Sequence, residues 1–154
     1  MGGDERAVEL ALRHLNRRDR TEAELRRHLA AKDVGERAAE AAIAEVARMG
    51  YLDDGRYART FAEDRRTLDA WGAERIERRL LQLGVDRELV AAAIGARDGD
   101  EELEAALELL RRRFGAAPTG ERERERALAM LVRKGYELEL AYDAVRAFER
   151  AAAA

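Results

Sequence analysis

The sequence predicts an all-α protein built as a tandem array of three three-helix repeats, elongated and curved. Three observations lead to this fold class. Ala, Glu, Arg and Leu dominate a chain with few β-branched residues and one proline, and such residues lose little side-chain freedom in a helix. Apolar residues recur at helical spacing along nearly the whole chain. Several apolar series also repeat at one constant interval.

A step of 51 residues relates equivalent positions in the three repeats. Leu29, Leu80 and Leu131 are separated by this step. Two further series keep it: Ile43, Ile94 and Val145, and Val34, Val85 and Tyr136. One such unit has too little core to be stable alone, so neighbouring units are expected to stack. We assign the repeats to residues 1–50, 51–99 and 100–154.

Helices in the first repeat are predicted over residues 4–17, 22–32 and 36–49. Thr21 precedes the second helix and Glu24 follows three residues later, which is the pattern of a capping box. The turn after this helix requires a left-handed residue. Asp33 stands at that position, whereas Gly84 and Gly135 stand at the equivalent positions of the later repeats, and aspartate tolerates this conformation less well than glycine.

Six further helices follow the same pattern. They are predicted over residues 54–69, 73–83 and 87–96, and over residues 101–114, 120–134 and 137–152. Trp71 lies at the break between the fourth and fifth helices. We interpret it as packing this joint, and the alternative is an exposed anchor for a partner, since tryptophan is enriched at binding hot spots.

Asp53 and Asp54 are adjacent carboxylates in front of a helix with Tyr57 and Phe61 on its apolar stripe. A catalytic or metal-binding pair would need further ligands or a perturbing partner, and the sequence offers none. An aspartate at this position caps the first turn and interacts favourably with the helix dipole. We therefore predict a capping role.

Candidate catalytic groups are few, and we predict no enzyme activity, no cofactor and no metal site. Cysteine and serine are absent, and the chain contains no glycine-rich phosphate loop. His14 and His28 lack the close ligand spacing of a zinc site, and we interpret them as solvated. The absence of cysteine and of an apolar membrane span fits a cytoplasmic protein.

Basic charge is local in this chain. The formal net charge is −3, which disfavours strong binding to duplex DNA. Residues 1–32 nevertheless carry eight Lys and Arg residues against six Asp and Glu residues. We expect a partner-binding surface on the turn before the second helix and on the second helices of the first two repeats: Arg17, Arg18, Arg20, Arg26, Arg27, Arg75, Arg78 and Arg79. The alternative is a solvated face, which is the interpretation we adopt for "GERERER".

Three motifs stand out in the first two thirds of the chain: "RRDRTEAELRRHL", "GYLDDGRYARTF" and "GAERIERRLLQLGVDRELV". They resemble motifs of the RecX family, which regulates the RecA recombinase. They occur in family order over about residues 10–95, and the last third of the chain resembles the family chiefly through its repeat pattern and "LVRKGYELELAYDAV". The chain departs from the family in Asp33, where glycine is usual, and in its negative net charge, where many relatives are basic.

The resemblance implies tandem three-helix repeats without catalytic residues. It implies a protein that binds the RecA–single-stranded DNA filament, with contact to the DNA itself left open, and that limits filament growth, ATP hydrolysis and strand exchange. Separately, we expect a monomer. Two other hypotheses remain. One is a direct DNA-binding module, because three-helix units resemble helix-turn-helix folds. The other is a helical adaptor protein, which would leave RecA filaments unaffected.

Overall fold

Residues 2–154, which are the residues that the computed structural model describes, form nine α-helices and no β-strand. The all-α prediction is confirmed, and each helix end lies within two residues of its predicted position. The helices are α1 (Gly2–Arg17), α2 (Glu22–Ala31), α3 (Glu36–Arg48), α4 (Asp54–Asp69), α5 (Ala73–Gln82), α6 (Arg87–Gly95), α7 (Gly99–Phe114), α8 (Glu121–Lys134) and α9 (Leu138–Ala153).

Capping boxes define where two of the helices begin. At α2 the Thr21 hydroxyl accepts from the Glu24 N–H at 3.1 Å, and the Glu24 carboxylate accepts from the Thr21 N–H at 3.0 Å. At α7 the same exchange joins Asp98 and Glu101, at 2.8 and 3.1 Å. Each box satisfies two N–H groups that a helix otherwise leaves without an acceptor. The predicted box at Thr21 is confirmed.

The apolar series predicted to form the core is buried. Leu29, Leu80 and Leu131 are each 0% exposed, which confirms their equivalence. One buried cluster draws on α1, α2 and α3, and a second draws on α7, α8 and α9. Burial of a leucine side chain contributes about 1.5–3 kcal/mol, so each of the three leucines stabilises its repeat.

The chain divides into two compact units. The first unit comprises the described residues up to Thr60 together with Leu80–Ala93, and the second comprises Phe61–Arg79 and Ile94–Ala154. Helices α4, α5 and α6 each contribute residues to both units. The boundaries of the two compact units therefore differ from those of the three sequence repeats. The repeat bounds 1–50, 51–99 and 100–154 stay a prediction.

Within the first unit, the N-terminal end of α2 contacts the α5–α6 turn. The Thr21 hydroxyl donates to the Leu83 carbonyl at 2.7 Å, and the Thr21 side chain is fully buried. Next to it, the Glu22 N–H donates to the Asp54 carboxylate at 2.8 Å. The start of α2, the second helix of the first repeat, is thereby joined to two parts of the second repeat. These are α4 and the turn between α5 and α6.

The second unit contains the same junction one repeat later. The Gly72 N–H donates to the Lys134 carbonyl at 2.8 Å, and the Ala73 N–H donates to the Glu102 carboxylate at 2.7 Å. Gly72 and Lys134 lie one 51-residue step after Thr21 and Leu83. The repeat in sequence is thus also a repeat of the hydrogen bonds that join one three-helix repeat to the next.

Gly84 and Gly135 are required both by backbone conformation and by close packing. Their φ angles are +86° and +102°, which disfavour any residue with a Cβ. A Cβ on Gly84 would overlap Ala23, and one on Gly135 would lie 2.7 Å from the backbone nitrogen of Arg75. Asp33, with a φ of +60°, holds the equivalent place in the first repeat and is exposed.

Asp33 is exposed, so its side chain fits at a position where a Cβ on Gly84 or Gly135 would overlap a residue of another helix. The carbonyl of Lys32, equivalent to those of Leu83 and Lys134, instead accepts from the Arg6 guanidinium of α1 at 3.1 Å. A side chain of the same repeat thus satisfies the acceptor that a neighbouring repeat satisfies elsewhere.

Candidate partner-binding surface

Asp53 and Asp54 cap two different helices. The Asp53 carboxylate accepts from the Arg56 N–H at 3.0 Å and so caps α4, as predicted, and this hydrogen bond lowers the pKa of Asp53. Asp54 instead accepts from the first N–H of α2. Burial raises the pKa of Asp54, against the effect of that hydrogen bond. Within residues 2–154, no group of three or more His, Cys, Asp or Glu side chains could hold a metal ion.

The prediction that His14 and His28 are solvated is wrong. Their rings stack with centroids 3.6 Å apart and planes within 5° of parallel, and both side chains are half-buried. Burial, with nearby cationic charge, lowers the pKa of His14 to about 4 and lowers that of His28. The two rings are therefore neutral at pH 7, and no sequence spacing indicates this contact because α1 and α2 meet only in the fold.

Arg17, Arg18 and Arg20 gather around the histidine stack. Arg20 acts on the pKa of both histidines, Arg18 on that of His14, and Arg17 on that of His28. Arg17 and Arg18 are exposed, and Arg18 lies 3.4 Å from the Glu24 carboxylate. In residues 2–154, the Nε atom of Arg20 is buried without a hydrogen-bond partner. This turn is a basic cluster whose charge is partly offset by Glu24, which pairs with Arg18.

Arg26 and Arg27 are adjacent on α2 but differ in their surroundings. Arg26 donates to Glu40 at 2.5 Å and to Glu22 at 2.8 Å, and these hydrogen bonds raise its pKa. Its guanidinium is therefore already paired with carboxylates of α2 and α3. Arg27 is exposed, and no ion pair joins it to any carboxylate in the described part of the chain.

Arg75, Arg78 and Arg79 on α5 show a similar contrast. The Arg75 guanidinium lies 4.2 Å from the ring centroid of Trp71 and donates to the Arg133 carbonyl at 3.2 Å. Arg79 is exposed and has a further interaction within the chain. Arg78, one repeat step after Arg27, is exposed and has no ion pair within residues 2–154. Repeat-equivalent positions thus carry unpaired guanidinium groups.

Trp71 packs against neighbouring side chains, in agreement with the packing interpretation. It is half-buried, and its ring meets that of Phe61 edge to face with centroids 6.0 Å apart. The Arg65 guanidinium lies 5.7 Å from the Phe61 ring centroid and 6.0 Å from that of Trp71. Such cation–aromatic contacts stabilise by about 0.5–1 kcal/mol at exposed sites. Trp71 therefore belongs to the joint between α4 and α5.

Glu102 is a structurally important carboxylate that the sequence alone does not reveal. It is 7% exposed, pairs with Arg97 and accepts from the Ala73 N–H. The sequence cannot indicate this role, because α5 begins beside α7 only in the folded chain. The stretch "GERERER" is a solvated face, as predicted, with Glu121 to Arg126 all exposed.

Profiles of three RecX domains match the chain in order. The first three-helix domain matches residues 7–45, the second matches residues 53–94, and the third matches residues 100–145. Together these matches cover most of the chain and include all nine helices in whole or in part. None of the helices in residues 2–154 combines the length and apolar character needed to cross a membrane.

Curated relatives and solved structures carry the same name. "Regulatory protein RecX" of Stenotrophomonas maltophilia (strain R551-3) is 35% identical over 131 residues, which cover 84% of this chain and 79% of that protein. "Regulatory protein RecX" of Amycolatopsis mediterranei (strain U-32) is 32% identical over 143 residues, covering 92% and 82%. The crystal structure of RecX from Lactobacillus salivarius superposes with a TM-score of 0.85 over 96% of this chain and 97% of that one, at 17% identity, and supports the fold.

Proposed function

This chain belongs to the RecX family of regulatory proteins, and on that basis we propose that it regulates the RecA recombinase. It binds the RecA–single-stranded DNA filament and mainly inhibits filament growth, ATP hydrolysis and strand exchange. The observation that carries the proposal is the match of all three RecX three-helix domains, in order, over residues 7–145. We further propose a cytoplasmic monomer with repeats at residues 1–50, 51–99 and 100–154.

Unpaired arginines at equivalent repeat positions support binding to a periodic partner. Arg27 and Arg78 are exposed, lack ion pairs within residues 2–154 and are separated by one repeat step. A guanidinium fork suits both carboxylate and phosphate, and a nucleoprotein filament offers both. Weak contacts repeated along a filament add through multivalency. We therefore assign these two arginines the leading part in the contact.

The other proposed contact residues contribute unequally. The basic cluster of Arg17, Arg18 and Arg20 can meet anionic groups directly, because in the described part of the chain only Arg18 of these three forms an ion pair. Arg26 and Arg75 are engaged within the chain and would have to exchange partners. Arg79 completes the set on α5. Binding is thus expected to depend most on the exposed, unpaired arginines.

The proposed mechanism is a wedge and requires no chemistry by this protein. The chain lies in the filament groove, bridges neighbouring RecA protomers, and blocks the addition of subunits or hastens their loss. The carboxylates that could suggest catalysis, Asp53, Asp54 and Glu102, are engaged in capping helices. Regulation therefore follows from occupancy of the groove alone.

RecA-dependent ATP hydrolysis on single-stranded DNA tests the proposal. Increasing amounts of this protein should lower the hydrolysis rate in a saturable manner, and a pulldown of preformed filaments should retain it. A hydrolysis rate and filament length that stay constant at saturating concentration would refute the proposal, and would favour an adaptor protein with another partner.

Direct DNA binding is the second candidate, and the basic cluster around the histidine stack favours it. The net charge of −3 disfavours it, because phosphate neutralisation supplies most of the affinity of DNA-binding proteins. A salt series with single-stranded and duplex DNA, without RecA, separates the two. Tight binding that weakens steeply with salt would favour the DNA-binding module.

A further inference from the structure

A cationic pocket in the second unit is lined by residues other than the arginines assigned above to the contact with RecA. Three helix ends form it: α4 contributes Leu68, Asp69 and the following Ala70, α7 contributes Leu109, Arg112 and Arg113, and α8 contributes Lys134. The Asp69 carboxylate pairs with the Arg65 guanidinium at 2.5 Å. The cavity is about 280 Å³. This is large enough to receive one or two side chains of a partner, but it is smaller than most small-molecule sites.

The two arginines of the cationic pocket are not neutralised by the chain. Arg112 and Arg113 are exposed, and no ion pair joins either to a carboxylate in residues 2–154. Arg111, on the same helical turn, pairs with Glu104 at 3.1 Å and Glu108 at 3.4 Å. Lys134 adds a third positive charge, and its ammonium group donates to the Asp69 carbonyl at 2.9 Å. The lining thus carries three positive charges against one carboxylate, that of Asp69, which is already paired with Arg65.

Favourable interaction with helix dipoles is the simplest explanation for basic residues at the ends of α7 and α8. It does not account for Leu68, which is 71% exposed at the edge of the pocket with buried Leu109 among the same lining residues. An exposed leucine alone is common on protein surfaces. An exposed leucine bordered by unpaired arginines matches the pattern of an apolar anchor surrounded by a charged rim.

The backbone beside Leu68 adopts an unfavourable conformation. Ala70 has a φ of +56°, which is unfavourable for a residue with a Cβ. Side chains from the α8–α9 region hold it there: the Tyr136 hydroxyl donates to the Ala70 carbonyl at 3.2 Å, and Lys134 donates to the Asp69 carbonyl. Such strain persists where the surrounding structure imposes it and is frequent at binding sites.

We propose that the cationic pocket binds an acidic segment of a partner protein that carries an aliphatic side chain. Its carboxylates pair with Arg112 and Arg113, whose planar forks match carboxylate geometry. Its aliphatic side chain covers Leu68 and enters the cavity above Leu109. A single-stranded nucleic acid fits less well. Its bases would need aromatic side chains to stack on, and none of the residues that line the pocket is aromatic.

Fluorescence anisotropy with the full-length protein and a labelled peptide of alternating glutamate and leucine tests this site. Charge reversal in Arg112→Glu/Arg113→Glu should weaken peptide binding at least about tenfold. Leu68→Ser should weaken it about fivefold by removing apolar contact, and it leaves the fold intact because the side chain is exposed. Arg122→Glu/Arg150→Glu is the matched control: both side chains are exposed in the same unit, and affinity should stay within about twofold.

Three outcomes would overturn the proposal. One is equal peptide affinity in wild type and Arg112→Glu/Arg113→Glu with helical content preserved. Another is equal binding of a peptide with serine in place of leucine, since the apolar anchor would then be irrelevant. The third is an oligothymidylate that binds more tightly than the peptide and loses more affinity in Arg112→Glu/Arg113→Glu, which would identify a nucleic-acid site. The measurement needs no RecA, so its result is independent of the proposed regulation.

Discussion

The Asp54 carboxylate accepts a hydrogen bond at 2.8 Å from the backbone N–H of Glu22, which lies 32 positions earlier in the chain. Glu102 does the same for the N–H of Ala73 at 2.7 Å. In both cases a carboxylate near the start of one repeat's first helix caps the second helix of the preceding repeat. Helix capping, which is usually local, here joins consecutive repeats.

Alanine substitution should separate the roles of Asp53 and Asp54. Asp53→Ala should lower the free energy of unfolding by about 1 kcal/mol through loss of a local cap. Asp54→Ala should cost about 1–3 kcal/mol, because it leaves the Glu22 N–H in a half-buried place without its acceptor. Asp54→Asn keeps an acceptor oxygen and should cost less than Asp54→Ala. Urea unfolding at neutral pH measures all three.

The two aspartates should also affect the acid stability profile in opposite directions. Since the folded state lowers the pKa of Asp53, its contribution is present above the unfolded pKa and is lost as the pH falls through the folded pKa. Since burial raises the pKa of Asp54, its ionisation reduces stability as the pH rises from the unfolded pKa through the folded one. Asp54→Asn should therefore steepen the loss of stability in acid, and an unchanged profile would contradict this assignment.

Glu102→Ala should be among the more damaging single substitutions. It removes the acceptor of the Ala73 N–H and leaves the partly buried guanidinium of Arg97 without its carboxylate. Breaking a buried ion pair by removing one partner costs about 3–5 kcal/mol. Glu104→Ala on the same helix, where the carboxylate is exposed, is the control and should cost less than about 1 kcal/mol. Thermal and urea unfolding compare the two.

Glycine replacement should differ sharply between the repeat turns. Gly84→Ala and Gly135→Ala should each cost about 2–4 kcal/mol, because a Cβ is strained at positive φ and overlaps the preceding repeat. Asp33→Gly should be neutral or stabilising, since it relieves the left-handed strain of Asp33 and disturbs no junction. A large destabilisation by Asp33→Gly, measured by urea unfolding, would show that the aspartate side chain has a contact of its own.

The stacked histidines predict a loss of stability in mild acid. His14 has a pKa of about 4 in the folded protein, below the 6.5 or so of an unfolded chain. The unfolded state therefore binds more protons between these values, and stability falls as the pH drops through this window. His14→Gln should reduce that fall, and NMR titration of the ring protons gives the pKa directly. An ordinary histidine pKa would show that the rings separate in solution.

Charge reversal of Arg27 and Arg78 tests the proposed contact with RecA filaments. Arg27→Glu/Arg78→Glu should raise the half-inhibitory concentration at least about tenfold, if each charge contact is worth about 1–2 kcal/mol. Helical content should not change, because Arg and Glu have similar helix propensities. The difference should shrink at high salt, which screens exposed charges.

Arg122→Glu/Arg150→Glu makes the same change in net charge and serves as the control for this experiment. Inhibition should stay close to that of the wild-type protein. If Arg27→Glu/Arg78→Glu inhibits as well as the wild type at low salt, these arginines are merely solvated. The cationic pocket around Arg112 and Arg113 would then be the surface to test next.

Sequence alone predicted the features of this protein that depend on neighbours along the chain. Helix ends follow from local punctuation such as Thr21 with Glu24, since a capping box lies within four residues. The buried series of Leu29, Leu80 and Leu131 follows from helical spacing and the repeat step. The left-handed turn at Gly135 follows because few other residues adopt a positive φ without strain.

Tertiary structure decided which partner each polar side chain meets. The sequence predicts that Asp54 caps its own helix, α4. In the fold it caps α2 instead, because α2 and α4 begin side by side. His14 and His28 become a stacked pair only when α1 packs on α2. The sequence does not distinguish Arg26 from Arg27. In the fold, Glu40 of α3 pairs with Arg26, whereas Arg27 has no ion pair within residues 2–154. Such pairings depend on distances between segments far apart in sequence, and those distances exist only once the helices have packed.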